Sequence, residues 1–452
     1  MPDRSLAEFR EIALRAIGDA PRFITQGRVA RVVGQVIEAT GLAVALGEVC
    51  RIESNGTERL TAQVVGFHER GVLLVPLREL DGIQPGATVR PLRRPLDAPV
   101  GDGLIGRVID GLGRPIDGAG PLPSNRRHSL HARPPRPLER TRITAPLPTG
   151  VRAIDALVTL GRGQRIGIMA GSGVGKSVLL GMAARHTAAD INVIALLGER
   201  GREVREFIER DLGPDGLARS VVVVATSDQS PVMRAAGAGV ATTIAEHFRD
   251  QGRDVLLMVD SITRVAMAWR ETGLAVGEPP TTKGYPPSVF AHLPRLLERA
   301  GTGSRGSITG LYTVLVEGDD FNEPVADAAR SILDGHIVLS RRLAAAKHFP
   351  AIDVLESVSR VRDSVISAQH LDAANVVLQA EAAYRSHEDL IAVGAYRAGA
   401  DRLVDAAIAL RPEVLSLLVQ RPEERTSFDE SAARLKTIAQ RLQAHGATRA
   451  AA

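Results

Sequence analysis

The sequence has few cysteines and no long apolar run, and each shortage excludes a class of protein. Cys50 is the single cysteine among 452 residues, so the chain can form no internal disulfide, as is typical of a reducing compartment. No apolar run approaches the roughly 20 residues that a transmembrane helix needs. The first 20 residues carry charges throughout, unlike a signal peptide. We therefore expect a cytoplasmic protein whose membrane contact is peripheral.

Aromatic residues and lysines are also scarce. Aromatic residues make up 3% of the chain against 44% hydrophobic residues, which indicates a globular protein with an aliphatic core. The 56 basic and 52 acidic residues leave a net charge of +4, spread along the chain. Since no basic run is interleaved with aromatic residues, we expect no nucleic-acid partner. The chain has four lysines, and one of them, Lys176, lies in a glycine-rich stretch.

That stretch, residues 165–185, predicts a strand, a loop and a helix. The apolar run 166–169 is typical of a buried strand, and helical spacing resumes at residue 178, so the glycines between must turn onto a helix N-terminus. This context fits a P-loop, in which backbone N–H groups cradle a polyphosphate, Lys176 reaches the outer phosphates and the Ser177 hydroxyl can ligate Mg²⁺. Ala170 replaces the usual first glycine of the motif. The predicted nucleotide contacts are Gly171, Ser172, Gly173, Val174, Gly175, Lys176, Ser177 and Val178.

Two carboxylates follow later predicted strands. The run 255–260 is apolar and ends in Asp260, which fits the Walker-B position that holds Mg²⁺, although an aspartate there can also be a helix cap. Glu199 follows the predicted strand 191–197 and can orient the attacking water, although it can also be a solvated glutamate at the start of a helix. Because phosphate sites lie at the carboxyl ends of parallel strands, the P-loop favours the catalytic reading of both.

Four segments are predicted along the chain. An amphipathic helix within residues 1–25 places Leu6, Phe9, Ala13 and Ala16 on one face. Short Val-rich runs at 28–37, 60–67 and 71–77 predict a small β-barrel over 26–97. A long irregular segment over 107–138 then leads into alternating strands and helices, which predict a P-loop domain with a parallel sheet over 98–365. Residues 366–452 predict a C-terminal helical domain.

Several longer motifs resemble the flagellar type III export ATPases, a family related to the catalytic subunit of rotary F-type ATP synthase. The resemblance covers about residues 25–440 and rests on the stretches 170–177, 198–207, 277–290, 311–320 and 332–341. The virulence-type export ATPases look similar throughout, and the motifs 170–175 and 281–285 favour the flagellar branch.

The resemblance implies roles for further residues. It assigns Lys176 to the phosphates, Ser177 and Asp260 to Mg²⁺ and Glu199 to the hydrolytic water, with Arg200 beside it. It matches Phe349 to an aromatic ring that stacks on adenine and Arg360 to an arginine that a neighbouring subunit inserts against the γ-phosphate. Arg234 is matched less firmly to a phosphate contact.

The same family implies an ATP- and Mg²⁺-dependent homo-oligomer, expected to be a hexamer, that energises protein export. Residues 277–287 match the loop around the pore of the ring, where a central stalk protein would lie. The expected partners also include a cytoplasmic regulator on the N-terminal helix, membrane proteins of the export gate, export substrates and their chaperones, at the inner membrane.

Two other functions remain open at this point. A regulatory ring subunit would bind nucleotide without hydrolysing it, but such subunits lack the carboxylate that Glu199 provides. A hexameric RNA translocase would also join a small barrel to a P-loop core, but stacking aromatic residues would then be expected in the barrel. Phe67 is the only aromatic residue between 28 and 97.

Overall fold

The computed structural model describes residues 10, 11, 14, 26–53, 59–69, 71–80, 82–123, 126–316 and 323–448. The chain divides into two compact units, Met1–Pro95 and Leu96–Ala452. The predicted N-terminal contact residues Leu6, Phe9, Ala13 and Ala16 lie outside the described residues. The predicted segment boundaries at 25, 97 and 365 stay predictions.

The first unit contains a closed antiparallel barrel with the strand order β1-β2-β5-β4-β3-β6. Its strands are β1 Gly27–Val33, β2 Val36–Thr40, β3 Glu48–Glu53, β4 Leu60–His68, β5 Gly71–Pro76 and β6 Thr88–Pro95. Aliphatic side chains that alternate along these strands fill the interior, as Ile37 and Leu74 do. The predicted single run 28–37 is two strands, because the chain reverses at Gly34, whose φ is 57°.

The second unit is built on a nine-stranded sheet. Its strands are β8 Val108–Asp110, β10 Arg165–Ala170, β11 Ile191–Leu197, β12 Ser220–Ala225, β13 Asp254–Asp260, β14 Gly301–Thr302, β15 Ser307–Leu315, β16 Gly335–Leu339 and β17 Ile352–Ser359. The order is β17-β16-β10-β15-β13-β11-β12-β8, with β14 beside β15. A separate two-stranded ribbon joins β7 Asp97–Pro99 and β9 Arg127–Ser129.

The helices alternate with these strands and then follow one another towards the C-terminus. They are α1 Arg152–Leu157, α2 Lys176–His186, α3 Gly201–Glu206, α4 Gly213–Leu217, α5 Pro231–Asp250, α6 Ile262–Ala275, α7 Pro287–Leu297, α8 Pro324–Ile332, α9 Arg341–Ala345, α10 Arg362–Val365, α11 Ala368–Ala392, α12 Arg402–Ala409, α13 Arg411–Leu418 and α14 Phe428–Thr448. A π-helical turn, Phe207–Leu212, separates α3 from α4. None of the helices in the described part of the chain is long and apolar enough to cross a bilayer.

The predicted fold class is confirmed, with two differences in the sheet. The segment 107–138, predicted to be irregular, contributes β8, which pairs in parallel with β12 at the edge of the sheet. Strand β17 at the other edge runs antiparallel to β16. The strands β10, β15, β13 and β11 between them are parallel, so their carboxyl ends share one edge of the sheet.

Candidate functional site

The P-loop leaves β10 and turns directly into α2. Gly175 precedes α2 with a φ of 90°, a backbone conformation that residues other than glycine rarely adopt. At Gly171, an added Cβ would lie 2.9 Å from the Arg341 guanidinium, so a larger residue would require that side chain to move. Ala170, by contrast, is the last residue of β10 and is paired with its neighbours in extended backbone. Alanine can therefore replace the usual first glycine without strain.

Lys176 is the centre of a buried charge cluster at this edge. Its Nζ lies 2.5 Å from Asp260 Oδ1 and 3.2 Å from Glu199 Oε1. Thr313 on β15, the strand between β10 and β13, donates its hydroxyl to the same Asp260 oxygen at 2.6 Å. Burial acts to lower the pKa of Lys176, but the charges of Asp260 and Glu199 outweigh burial and raise it. Lys176 is therefore a firmly held cation.

A cavity of about 460 Å³ opens over this cluster, which is large enough for a nucleotide. Its lining consists of Ala170, Gly171, Ser172, Gly173, Gly175, Lys176, Ser177, Val178, Glu199, Arg200, Glu203, Arg264, Leu315, Val316 and Arg341. Most of the predicted P-loop contacts and Glu199 are thus brought together on one cavity. Val174 is buried beneath the loop at 1% exposure instead of facing the cavity.

Three charged residues of this lining were missed by the sequence analysis. Glu203 and Arg264 each lie in the first turn of the helix that follows a predicted site residue, so inspection of the helix starts after these strands could have identified them. The guanidinium of Arg264 lies 3.5 Å from Glu199 Oε1. A hydrogen bond with the Glu199 carboxyl group lowers the pKa of Glu203, and the N–H and charge of Arg200 act in the same direction. Arg341 starts the helix after β16, a position that the rule of strand carboxyl ends also indicates.

The predicted adenine contact lies next to the P-loop. A Cβ built on Gly175 would be 3.5 Å from the Phe349 ring, and the ring itself is 37% exposed. Arg200 lines the cavity from the start of α3, with its side chain 78% exposed. Both side chains are therefore free to contact a ligand from the solvent side.

Two predicted site residues lie away from this cavity in the isolated chain. Arg234 on α5 forms an ion pair with Glu271 on α6 and is absent from the cavity lining. Arg360 follows β17, and its N–H donates to Asp334 O just before β16 begins. Since β17 is antiparallel, Arg360 lies at the far edge of the sheet, about 20 Å from the P-loop by the length of β10. It cannot serve the site of its own chain.

The chain matches three family models in order. They are the β-barrel domain of the ATP synthase alpha/beta family at residues 29–93, the nucleotide-binding domain of that family at 150–359, and the C-terminal domain of the T3SS EscN ATPase at 366–437. Together they follow the barrel, the sheet with its cavity, and the C-terminal helices.

Two curated proteins and one solved structure are similar over most of their length. The flagellum-specific ATP synthase of Bacillus subtilis (strain 168) is 54% identical over 415 residues, covering 91% of this chain and 94% of that protein. The type 3 secretion system ATPase of Xanthomonas euvesicatoria is 50% identical over 430 residues, covering 95% of this chain and 96% of that protein. A solved structure shows the assembled ATPase EscN in complex with its central stalk EscO, from the type III secretion system of enteropathogenic E. coli. It superposes with a TM-score of 0.85 at 44% identity, covering 91% of this chain and 100% of that chain. The predicted family is confirmed.

Proposed function

This chain belongs to the ATP synthase alpha/beta family, among the flagellum-specific and type III secretion ATPases, and we propose that it hydrolyses ATP to drive type III protein export. The observation that carries the assignment of the site is the cluster of Lys176, Glu199 and Asp260 under a P-loop cavity. Purified protein should release phosphate from ATP in the presence of Mg²⁺ and not with EDTA. Absence of hydrolysis at every protein concentration would contradict the proposal.

Phosphate binding follows from the charges that already lie in the cavity. The N–H groups of the P-loop and the N-terminus of α2 face an incoming polyphosphate, and Lys176 can exchange its carboxylate partners for phosphate oxygens. Arg264 and Arg341 add positive charge to the same lining. We propose that these groups bind the triphosphate, and that Phe349 supplies the apolar face for adenine.

Mg²⁺ fits the oxygen atoms at the floor of the cavity. Ser177 lines the cavity at the first turn of α2, and the buried carboxylate of Asp260 lies against the neighbouring Lys176. Hydroxyl and carboxylate oxygens are the ligands that Mg²⁺ prefers, with water in the remaining positions. Ser177 and Asp260 would hold the ion, and Glu203 could bind one of its waters. When bound, the ion would neutralise charge on the phosphates during transfer.

Glu199 is the carboxylate best placed to orient water. It lies at the carboxyl end of β11, is 9% exposed and reaches Lys176, so it faces the position of the outer phosphate. A carboxylate at this position can accept a hydrogen bond from the water and align it for attack. This carboxylate also argues against a ring subunit that only binds nucleotide.

We propose that Arg360 completes the cavity of a neighbouring subunit in a homohexamer. Its place at the far edge of the sheet supports this, and the similar protein EscN is known in an assembled form. An arginine supplied in this way contributes roughly 10³ to 10⁵ in rate. Arg360→Ala and Lys176→Ala should therefore each be inactive alone. A mixture should regain activity, because some interfaces join an intact P-loop to an intact arginine. No recovery at any mixing ratio would contradict sharing between subunits.

The remaining partners and the cellular system are proposals of the same kind. EscN binds a central stalk, so we propose a stalk protein in the pore beside residues 277–287, and contacts with export-gate proteins, substrates and chaperones at the inner membrane. We propose that the N-terminal residues bind a cytoplasmic regulator, which a pull-down with Leu6→Asp/Phe9→Asp protein would test against the parent. Both flagellar and secretion relatives fit the chain. Rescue of motility or of effector secretion in matching deletion strains separates the two systems.

A further inference from the structure

Gln420 is a buried glutamine whose side chain joins the segment after α13 to the start of α1. It lies just after α13 and is 3% exposed. Its Nε2 donates to Gly150 O and to Glu424 O, each at 2.8 Å, and its Oε1 accepts from the Arg152 N–H at 2.8 Å. Both amide protons and the amide oxygen are engaged, so exchange of the amide nitrogen and oxygen would disrupt every contact. The side-chain amide therefore has a single orientation that satisfies these hydrogen bonds.

The backbone of the same residue reaches the predicted adenine contact. The Gln420 N–H donates to Phe349 O at 2.9 Å. The Phe349 ring in turn lies within van der Waals reach of a Cβ position on Gly175 of the P-loop. One hydrogen bond therefore links the anchored glutamine to the residue that faces the base.

The anchor is itself attached to the P-loop helix. Gly150 has a φ of 74°, and a Cβ added there would lie 2.5 Å from the Cβ of His186, the last residue of α2. Arg152, 7% exposed, binds Val419 O and reaches Glu424 Oε2 at 3.0 Å. The segment after α13 is thus fixed to the same helix that begins at the phosphate site.

We propose that Gln420 is a positioning residue for the base of the nucleotide, holding Phe349 at the height above the P-loop where adenine stacks. The proposal rests on the proposed adenine contact of Phe349. Any residue at position 420 other than proline keeps the N–H, but the side-chain amide decides where that N–H lies. Without the amide, the Phe349 loop loses its support while the P-loop keeps its own contacts. Affinity for the base should fall, and affinity for the triphosphate should not.

The test compares ATP with ribose 5′-triphosphate, which lacks the base, in steady-state phosphate release by the full-length protein. Gln420→Met keeps the side-chain volume and removes the three hydrogen bonds. It should raise KM for ATP about 3- to 10-fold, with kcat and the KM for ribose 5′-triphosphate within about twofold of the parent. Phe349→Ala should raise KM for ATP about tenfold, and the double variant no further, because both changes remove one interaction.

Gln164→Met is the matched control. Gln164 is also fully buried and makes hydrogen bonds with Gly161, Asp334 and Ser359 at the far edge of the sheet. Gln164→Met should lower thermal stability without changing KM for ATP or for ribose 5′-triphosphate.

Three outcomes overturn the proposal. One is an equal rise in KM for ATP and for ribose 5′-triphosphate in Gln420→Met. A variant that folds poorly would show the same equal effect on both substrates. Another is an unchanged KM for ATP in Gln420→Met while Phe349→Ala raises it. If Phe349→Ala leaves KM for ATP unchanged, the adenine contact fails and the role of Gln420 with it, whereas the assignment of ATP hydrolysis stands.

Discussion

Lys176, which is largely buried, and Arg299, which is fully buried, are both cations held by carboxylates, but Lys176 lines the nucleotide cavity whereas Arg299 does not. Lys176 contacts Asp260 at 2.5 Å and Glu199 at 3.2 Å. Lys176 and Glu199 line the nucleotide cavity, and Asp260 contacts that lining through Lys176. Each of these partners is an anion that a phosphate group can replace. The cluster can therefore rearrange when a phosphate group takes the place of a carboxylate.

Arg299, after α7, has its donors committed within the protein. Its Nε and Nη2 bind the two oxygens of Glu246 at 2.9 and 2.6 Å, Nη2 also reaches Thr243 Oγ1 at 2.9 Å, and Nη1 donates to Leu130 O at 2.8 Å. Arg299 is 5% exposed and Glu246 6% exposed. This cluster fixes α5 to the residue after β9 and to the end of α7.

The difference separates a structural ion pair from a functional one. Both clusters carry the desolvation cost of buried charge. Loss of Arg299 leaves Glu246 buried without this partner, whereas loss of the Glu199 charge leaves Lys176 paired with Asp260. The Arg299 guanidinium donates four of its five N–H groups to protein oxygens, two of them to one carboxylate, so it is committed to the fold. A lysine Nζ between two carboxylates keeps its position after one is exchanged. Changes in the Arg299 cluster should therefore affect stability, and changes in the Lys176 cluster should affect turnover.

The largest effect is expected at Glu199. Glu199→Gln removes the carboxylate that orients water and leaves Lys176 paired with Asp260, so kcat should fall about 10²- to 10⁴-fold while nucleotide affinity and melting temperature are kept. Phosphate release and equilibrium nucleotide binding measure the two quantities. Glu209→Gln, at a 61% exposed side chain, is the control. Turnover within about tenfold of the parent would show that Glu199 does not orient the water.

Arg299→Met should produce the opposite pattern. The change leaves the Glu246 carboxylate buried without its partner, which costs about 3–5 kcal/mol of unfolding free energy. Denaturant unfolding measures that loss, and kcat at a temperature where the variant is folded should match the parent. Adding Glu246→Leu removes the unpaired charge and should restore most of the stability. A folded Arg299→Met protein with impaired turnover would break the distinction between the clusters.

How much of these clusters the sequence predicts depends on whether a general rule places the partners, and not on their separation along the chain. Lys176, Glu199 and Asp260 follow strands of one parallel sheet, so the rule of strand carboxyl ends brings them together, and Glu203 lies in the first turn of the helix that follows one of these strands. Arg299 and Glu246 are closer in sequence than Lys176 and Asp260, but no sequence rule marks them as a pair.

The fold shows the same limit. Alternating apolar strands predict the barrel and the parallel sheet, but the antiparallel edge strand β17 and the parallel pairing of β8 depend on tertiary contacts. The place of Arg360 at the far edge follows from the direction of β17. It could be read only once that direction was known.

Asp155 extends the comparison to a buried carboxyl group whose described hydrogen-bond partners are all neutral. It is fully buried and accepts from the Thr149 N–H and hydroxyl and from the Gly150 N–H. Burial raises its pKa to about 6, although the hydrogen bonds act in the other direction. Because the folded pKa exceeds the unfolded value, the folded state binds this proton more tightly. This group therefore reduces stability above about pH 6, and the penalty disappears as the pH falls towards about 4.

Asp155→Asn removes that dependence on pH. Between about pH 7.5 and 4.5, the parent should gain about 2 kcal/mol of unfolding free energy relative to the variant, from a shift of about two pKa units that is only partly titrated at the lower pH. Denaturant melts of both proteins across this range give the difference. Asp215→Asn, at an exposed carboxylate, should run parallel to the parent. If the stability difference between the parent and the Asp155→Asn variant were flat with pH, Asp155 would ionise normally despite its burial.

The smallest effect is expected where a threonine touches each cluster. Thr313 Oγ1 donates to Asp260 Oδ1 at 2.6 Å, and Thr243 Oγ1 accepts from Arg299 Nη2 at 2.9 Å, both from side chains almost fully buried. Valine has the same shape without the hydroxyl. A hydrogen bond to a charged group is worth about 1.5–3 kcal/mol. Asp260 keeps its contact with Lys176 and Arg299 keeps its contact with Glu246, so a loss at the lower end of that range is expected in each case.

Thr313→Val should raise the Mg²⁺ concentration for half-maximal ATPase activity up to about tenfold, because Asp260 loses the bond that orients it. Thr243→Val should lower the unfolding free energy by about 1–2 kcal/mol and leave the Mg²⁺ dependence unchanged. If both valine variants shifted only stability, Asp260 would be a structural carboxylate like Glu246, and its assignment to Mg²⁺ would be wrong.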